Sequence, residues 1–265
     1  MKDMAPFNFQ ADQNRICQSF RRGLASYHRS ASVQAGIAAQ LVRLLQQQGA
    51  PDRFQSVFEF GCGTGHLTHR LLESFNVSKL VLNDLVPEAA AALRPVLDRA
   101  PAKFRFKPGP VETLPLPQQL DLVVSASTVQ WIQDLPGLME RLAAQLEPGG
   151  WLAVSGFGRS QFHELAALGS QAAAPSYLDA AEWPQLLPDG LTLMAITQEP
   201  VVLEFTSAVE LLKHLRLTGV NGQSRQSWNR SRLQEFETQY RSRFGRNGML
   251  PLTYDPVLLV ARKEG

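Results

Sequence analysis

The chain has 265 residues, of which 44% are hydrophobic and 19% charged, a composition that excludes an intrinsically disordered polymer. No apolar run approaches the roughly 20 residues of a membrane span, and the first residues lack a signal-peptide pattern. The two cysteines, Cys17 and Cys62, are too few for a disulfide framework, so a soluble cytosolic protein is expected.

The net charge of +2 is unevenly distributed along the chain. Residues 1–53 carry a balance of +4, residues 54–206 one of −7 and residues 207–265 one of +5. Basic ends around an acidic middle would steer an anionic partner, but two solvated helical faces explain the pattern equally well.

The first part of the chain, residues 12–48, predicts two helices. Apolar residues recur there at three- and four-residue spacing, first at Ile16, Phe20, Leu24 and Tyr27 and then at Ile37, Leu41, Leu44 and Leu45. Gly49 and Pro51 end the second helix.

From Ser56 onward, predicted strands alternate with predicted helices. The strands are Ser56–Phe60, Lys79–Leu82, Ala102–Lys107, Leu120–Ser125 and Trp151–Ser155. The helices between them are His66–Phe75, Pro87–Leu97 and Leu135–Leu146. Strands separated by such helices pair in parallel through right-handed crossovers, which predicts an α/β fold with an open, doubly wound sheet.

The last third departs from this alternation. It predicts one long strand over Leu191–Phe205, helices over Ser207–Leu217 and Arg232–Phe244, and a closing strand over Leu250–Arg262. Pro251 and Pro256 favour an edge position for that strand. We therefore expect four parts: a helical lid segment (1–53), a core (54–206), a helical lid excursion (207–246) and a closing strand of the core sheet (247–265).

A glycine-rich turn follows the first core strand, in the order Glu59-x-Gly61-x-Gly63-x-Gly65. The third glycine comes one residue too early for a dinucleotide fingerprint. The spacing resembles that of class I S-adenosylmethionine (SAM) methyltransferases. Glu59 would then face the cationic amino end of the methionine moiety, whereas it would repel a pyrophosphate. A glycine turn without any ligand is the alternative.

Other cofactor contacts are expected at the ends of the next strands. Asp84 is placed to accept both ribose hydroxyls, or to cap a helix. After Gly109, Pro110 replaces the aspartate that the methyltransferase pattern has for adenine, so backbone near Val111 must serve instead. The full predicted set for the cofactor is Glu59, Gly61, Cys62, Gly63, Gly65, Asp84, Val111, Glu112 and Ser125.

Gln130 and Trp131 follow the fourth strand and are candidates for closing the pocket, although a tryptophan belongs more often to the core. His66 and His69 lie three residues apart, but the sequence places no third ligand, so no metal is expected. A hydrolase would require a G-x-S-x-G elbow, which is absent from the sequence.

Several further segments carry a narrower resemblance. They are Phe20-Arg21-Arg22, Tyr27-His28, Val129-Gln130-Trp131, Arg216 to Gly219 and Leu250-Pro251-Leu252-Thr253-Tyr254. With them the chain resembles, nearly end to end, the malonyl-acyl-carrier-protein O-methyltransferase family of biotin synthesis. Pro110 and Ala126, the latter at a position where a small polar residue is common, depart from the family pattern.

This resemblance implies methyl transfer from SAM to the free carboxylate of malonyl-acyl carrier protein, or of malonyl-coenzyme A. The products are S-adenosylhomocysteine and a methyl ester that can be extended toward pimeloyl. The carboxylate is ionised at pH 7, so alignment and exclusion of water, rather than a general base, should drive the reaction. The candidates for holding this carboxylate are Tyr27, Arg22 and Arg216, while Gln130 and Trp131 remain the candidates for closing the pocket.

The carrier protein that the resemblance implies is acidic. Its expected docking surface is the basic part of the excursion, formed by Lys213, Arg225, Arg230, Arg232, Arg241, Arg243 and Arg246. Two alternatives stay open: a methyltransferase for another small acceptor, and a non-catalytic module of the same fold. Nucleic-acid methylation is less favoured because no N-P-P-Y-type motif is present. The oligomeric state is not predicted.

Overall fold

The computed structural model describes residues 17, 18, 21, 24, 30–100, 102–170, 174, 176–218 and 229–265. Its strands are β1 (Arg53–Phe60), β2 (Asn76–Asp84), β3 (Lys103–Pro108), β4 (Leu120–Ser125), β5 (Leu146–Phe157), β6 (Leu191–Gln198), β7 (Val201–Phe205), β8 (Leu250–Tyr254) and β9 (Pro256–Lys263). Its helices are α1 (Ser32–Gln47), α2 (His66–Ser74), α3 (Ala89–Leu97), α4 (Leu135–Gln145), α5 (His163–Ala167), α6 (Ala208–Leu217) and α7 (Arg230–Phe244).

Seven strands form one sheet in the order β3-β2-β1-β4-β5-β9-β6. Strands β1 to β5 pair in parallel, while β9 runs antiparallel to both of its neighbours. The predicted fold class is confirmed. The strand order reverses between β1 and β4, which places a crevice at the carboxyl ends of these strands.

Local sequence signals account for several helix starts. Ser207 and Asn229 precede α6 and α7, and their side-chain oxygens accept hydrogen bonds from the N–H groups of Glu210 and Arg232. Asp134 does the same before α4. In α1, the apolar stripe of Ile37, Leu41 and Leu45 is buried against the sheet and α2.

The two long strands predicted in the last third are wrong, because each divides in two. Pro200 separates β6 from β7, since proline cannot donate to a strand ladder. At Asp255 the chain passes from β8 to β9, and the buried carboxylate accepts hydrogen bonds from Ser160 N–H and Gln198 Nε2. Strands β7 and β8 form a separate two-stranded sheet.

The edge position expected for both prolines is correct for Pro251 alone, which lies in the two-stranded sheet. Pro256 instead opens β9, an interior strand, where the first residue tolerates a missing donor. Helices α6 and α7 pack on β8, and the fully buried Tyr240 donates its hydroxyl to the Pro251 carbonyl at 2.6 Å. The predicted excursion is thus anchored to the small sheet.

Of the two helices predicted over residues 12–48, the second is α1. The first falls mostly outside the described residues, although Cys17, Arg21 and Leu24 are described and helical. None of the described helices is both long and apolar enough to span a membrane.

Candidate functional site

The chain reverses sharply between β1 and α2, at the glycine-rich turn. Gly61 has a φ of +66° and Gly63 one of +52°, in the left-handed region that favours glycine. A Cβ on Gly61 would overlap the Thr128 side chain in the loop after β4. Cys62 N–H donates to the Asn83 carbonyl at the end of β2, at 3.0 Å. The turn is therefore packed tightly against the ends of two neighbouring strands.

Asp84, the last residue of β2, lies beside this turn. Its Oδ2 accepts from Gly63 N–H and its Oδ1 from Val86 N–H, both at 2.8 Å. Burial raises the pKa of the carboxyl, and the two N–H groups oppose that shift. Asp84 is not the helix cap considered as its alternative role, because Glu88 precedes α3. Each oxygen keeps a lone pair for a further donor.

An open cavity of about 920 Å³ lies at the carboxyl ends of β1 to β4. Of the predicted site residues, it is lined by Gly61, Gly63, Asp84, Val111, Glu112 and Trp131. Its wall also includes residues outside the predicted set, among them Asn83, Leu85, Val86, Ser127, Thr128 and Ile132. Three of these six, Leu85, Val86 and Ile132, supply apolar surface, which carries no motif.

A smaller cavity of about 330 Å³ adjoins the first, since Gly61, Gly63, Ala126 and Ser127 line both. Cys62 and Glu59 lie at the smaller cavity, and Glu59 is 1% exposed. The Glu59 Oε2 accepts from Thr68 Oγ1 at 2.8 Å, whereas Oε1 is buried with no partner among the described residues.

The environment of Glu59 favours its neutral form. Burial raises the pKa to about 8, against the opposing hydrogen bond from Thr68. A positive charge nearby would shift this carboxyl back toward its ionised form. The small cavity is therefore suited to a positively charged group of a ligand.

The loop after β3 is held from two sides by residues that sequence analysis missed. Asn83 Nδ2 donates to the carbonyls of Lys107 and Gly109 at 2.9 and 2.8 Å. On the other side, the Arg141 guanidinium of α4 donates to the carbonyls of Val111, Glu112 and Leu114. The hydrogen bonds of both side chains in this loop go to backbone carbonyls. Such contacts need no particular partner residue, so no spacing in the sequence indicates them.

Besides Arg216, three described residues of the predicted site line neither cavity. Ser125 is fully buried and donates its hydroxyl to the Phe60 carbonyl at 2.7 Å, so it joins two strands. Gln130 is buried beneath the loop and donates from Nε2 to the Ser127 carbonyl at 2.7 Å. Gly65 instead packs closely on Leu93 of α3. These positions support the cavity wall from behind.

Arg216 lies in the last turn of α6 and is not among the described residues that line the two cavities. Arg22 and Tyr27 lie outside the described residues, so their placement at the crevice stays a prediction. Arg225, predicted for docking, lies outside them as well. Within the described residues, no group of three or more histidine, cysteine or acidic side chains is arranged to hold a metal ion.

A family model described as a methyltransferase domain matches residues 58–154. A malonyl-[acyl-carrier protein] O-methyltransferase from Chlorobium luteolum is 36% identical, covering 96% of this chain and 96% of its own. The chain belongs to the malonyl-[acyl-carrier protein] O-methyltransferase family. A second relative of that name, from Acinetobacter baylyi, is 35% identical over 95% of this chain and 97% of its own.

Solved structures agree on the fold. The N-methyltransferase NodS from Bradyrhizobium japonicum, solved in complex with S-adenosylhomocysteine, superimposes with a TM-score of 0.53 at 16% identity. It covers 95% of this chain and 100% of its own. The likeness to malonyl-[acyl-carrier protein] O-methyltransferases extends well beyond the 58–154 domain, and so includes the small sheet and helices α6 and α7.

Proposed function

We propose that this protein transfers a methyl group from SAM to the free carboxylate of malonyl-acyl carrier protein. One structural observation carries the cofactor part: Glu59 keeps a buried, unpartnered carboxylate oxygen beside the glycine turn, in the described part of the chain. The family membership, at 36% identity over almost the whole chain, carries the substrate part.

The residues present fit SAM at both cavities. Glu59 would pair with its ammonium group, and Asp84 would accept hydrogen bonds from its ribose hydroxyls through the lone pairs left free. Adenine would lie against the Val111 and Glu112 segment that Arg141 holds in place. Adenine then needs no hydrogen bond from a side chain at position 110, where Pro110 stands, since backbone groups of this segment can provide it.

The chain's own residues would then align the acceptor. The bound cofactor supplies an electrophilic methyl group on a sulfonium. The acceptor carboxylate is already ionised at neutral pH, so the protein must orient it and exclude water rather than remove a proton. Trp131 lines the larger cavity and would form one wall, while Gln130 holds the carbonyl of the neighbouring Ser127. We assign Tyr27, Arg22 and Arg216 to the acceptor end.

We also propose that the segment before α1 covers the crevice. Leu24 lines the larger cavity, and Cys17 Sγ lies 3.8 Å from the Leu85 carbonyl on its rim. Arg21 pairs with Glu88 at 2.8 Å. These contacts tie the segment to the β2 side of the crevice, so the part of residues 1–53 that precedes α1 would act as a lid over the core of residues 54–206. For residues 207–246 the role of a second lid stays a prediction.

Mass spectrometry of malonyl-acyl carrier protein incubated with the protein and SAM tests the function. We expect one added methyl group that an esterase removes, together with S-adenosylhomocysteine. Malonyl-coenzyme A and an unrelated carboxylic acid, offered in parallel, separate this acceptor from other small molecules. Calorimetry with S-adenosylhomocysteine provides the matched binding measurement. Binding without methyl transfer to any malonyl thioester would contradict the assigned acceptor, and no binding would contradict the cofactor.

A further inference from the structure

Ser127 has an unusual backbone conformation for its residue type. Its φ of +54° lies in the left-handed region, where a side chain is disfavoured relative to glycine. The conformation is held from both sides: Ser127 N–H donates to the backbone carbonyl and Oγ of Ser155, at 3.1 and 3.0 Å. The Ser127 carbonyl accepts from Gln130 Nε2.

The position of the Ser127 hydroxyl does not stabilise the free protein. Its Oγ is buried and has no hydrogen-bond partner among the described residues. Burying an unpaired hydroxyl is unfavourable, and alanine would avoid that cost. Glycine would also relieve the backbone. A serine is therefore a poor choice for folding, on two independent counts.

The position of Ser127 points to a ligand. It lines both cavities, and of the four described residues that do so, Gly61, Gly63, Ala126 and Ser127, it alone carries a side-chain hydrogen-bond donor. One cavity contains Glu59 and the other Asp84. The boundary between them therefore separates the proposed amino-acid and nucleoside ends of the cofactor, which is where the methyl group is transferred.

We propose that the Ser127 hydroxyl donates a hydrogen bond to the acceptor carboxylate during methyl transfer, a role that rests on the proposed function. One carboxylate oxygen forms the new bond to the methyl carbon while the methyl–sulfur bond breaks and its electron pair stays on sulfur. Ser127 holds the other oxygen. As a neutral donor, it orients the carboxylate without withdrawing as much charge from the attacking oxygen as an arginine would.

The test compares Ser127→Ala and Ser127→Gly with Ser176→Ala, a nearby serine whose hydroxyl is satisfied by the Ile132 carbonyl at 3.1 Å. For both Ser127 variants we expect an unchanged or higher melting temperature and S-adenosylhomocysteine affinity within twofold of wild type. Their kcat/KM with malonyl-acyl carrier protein should fall about 10- to 100-fold, the effect of losing one hydrogen bond to a charged group. Ser176→Ala should lower the melting temperature and keep kcat/KM.

A second measurement does not depend on turnover. Titration of malonyl-acyl carrier protein into protein saturated with S-adenosylhomocysteine should show weaker binding for Ser127→Ala than for wild type. Wild-type kcat/KM in both Ser127 variants would overturn the proposal. A matching loss of S-adenosylhomocysteine affinity would also overturn it, by assigning the hydroxyl to the cofactor. If the wild type itself methylates no malonyl thioester, the proposed function fails and this role fails with it.

Discussion

The buried Glu59 carboxyl makes the free energy of unfolding depend on pH. In the folded protein its pKa is about 8, against an ordinary value of 4.5, because burial disfavours the charge. Between these two values the folded state keeps a proton that the unfolded state has lost. Raising the pH through this window therefore lowers the free energy of unfolding, and the loss is complete above pH 8.

Glu59→Gln should remove this loss, because the amide does not ionise. We expect the variant to exceed the wild type in unfolding free energy by a few kcal/mol at about pH 8.5, with the difference shrinking as the pH falls toward 4.5. Denaturant unfolding of the ligand-free protein at several pH values measures it. Glu73→Gln, at an exposed position of α2, is the control. A difference that does not change with pH would refute the shifted pKa.

At the scale of elements, the glycine turn is constrained by the neighbouring loop as well as by its own backbone. Gly61→Ala adds a Cβ that overlaps Thr128 and also strains the left-handed φ. Gly63→Ala adds strain alone, since no heavy atom of the described residues other than its two chain neighbours lies within 4 Å of the position that its Cβ would take.

We expect Gly61→Ala to cost about 3 kcal/mol of unfolding free energy and Gly63→Ala about 1 kcal/mol. Adding Thr128→Gly to Gly61→Ala should recover most of the excess, because it removes the three overlapping atoms. Denaturant unfolding of the wild type, of each single variant and of the double variant gives a double-mutant cycle. Strictly additive effects would show that the turn and the loop after β4 are not in contact.

Arg141 couples α4 to the loop after β3. A planar guanidinium reaches three carbonyls there, those of Val111, Glu112 and Leu114, which the single ammonium of a lysine cannot do. Arg141→Lys should therefore weaken S-adenosylhomocysteine binding about tenfold with little change in the melting temperature. Calorimetry measures the binding, with the exposed Arg94→Lys as the matched control. Equal affinities for the two variants would mean that this loop does not contact the cofactor.

At the scale of the whole molecule, the basic ends of the chain are the feature that the proposed carrier-protein docking depends on. Of the basic residues predicted to form it, the described and exposed ones at or beside α7 include Arg230, Arg243 and Arg246. Arg241 is engaged within the fold, by Glu237 and two backbone carbonyls. Docking through exposed charges would speed association and make it sensitive to salt.

Arg230→Glu combined with Arg246→Glu should raise KM for malonyl-acyl carrier protein about tenfold or more at low salt. The KM for malonyl-coenzyme A, which lacks the carrier protein, should stay unchanged. The wild-type preference for the carrier substrate should also shrink as the ionic strength rises. Arg70→Glu combined with Arg94→Glu, at exposed positions of α2 and α3, serves as the charge-matched control. Equal effects on both substrates would place these arginines outside the docking surface.

Much of the core was predictable because its signals are local. Alternating apolar runs and helical stripes predicted β1 to β5 and α2 to α4 to within a few residues, except at the start of β5. The glycine spacing and Glu59 indicated the class of ligand. The division of the last strands was not predicted, because β7 and β8 are as apolar as β6 and β9 and differ only in their partners.

The amino-acid sequence by itself therefore determined the fold class, the family and the residues at the tips of β1 and β2. These depend on short-range spacing and on residue type. Tertiary structure alone decided that Asn83 and Arg141 hold the loop after β3, that the Ser125 hydroxyl joins β4 to β1, and that Ser127 borders both cavities. Such roles arise from contacts between residues far apart in the chain, whose geometry no local pattern encodes.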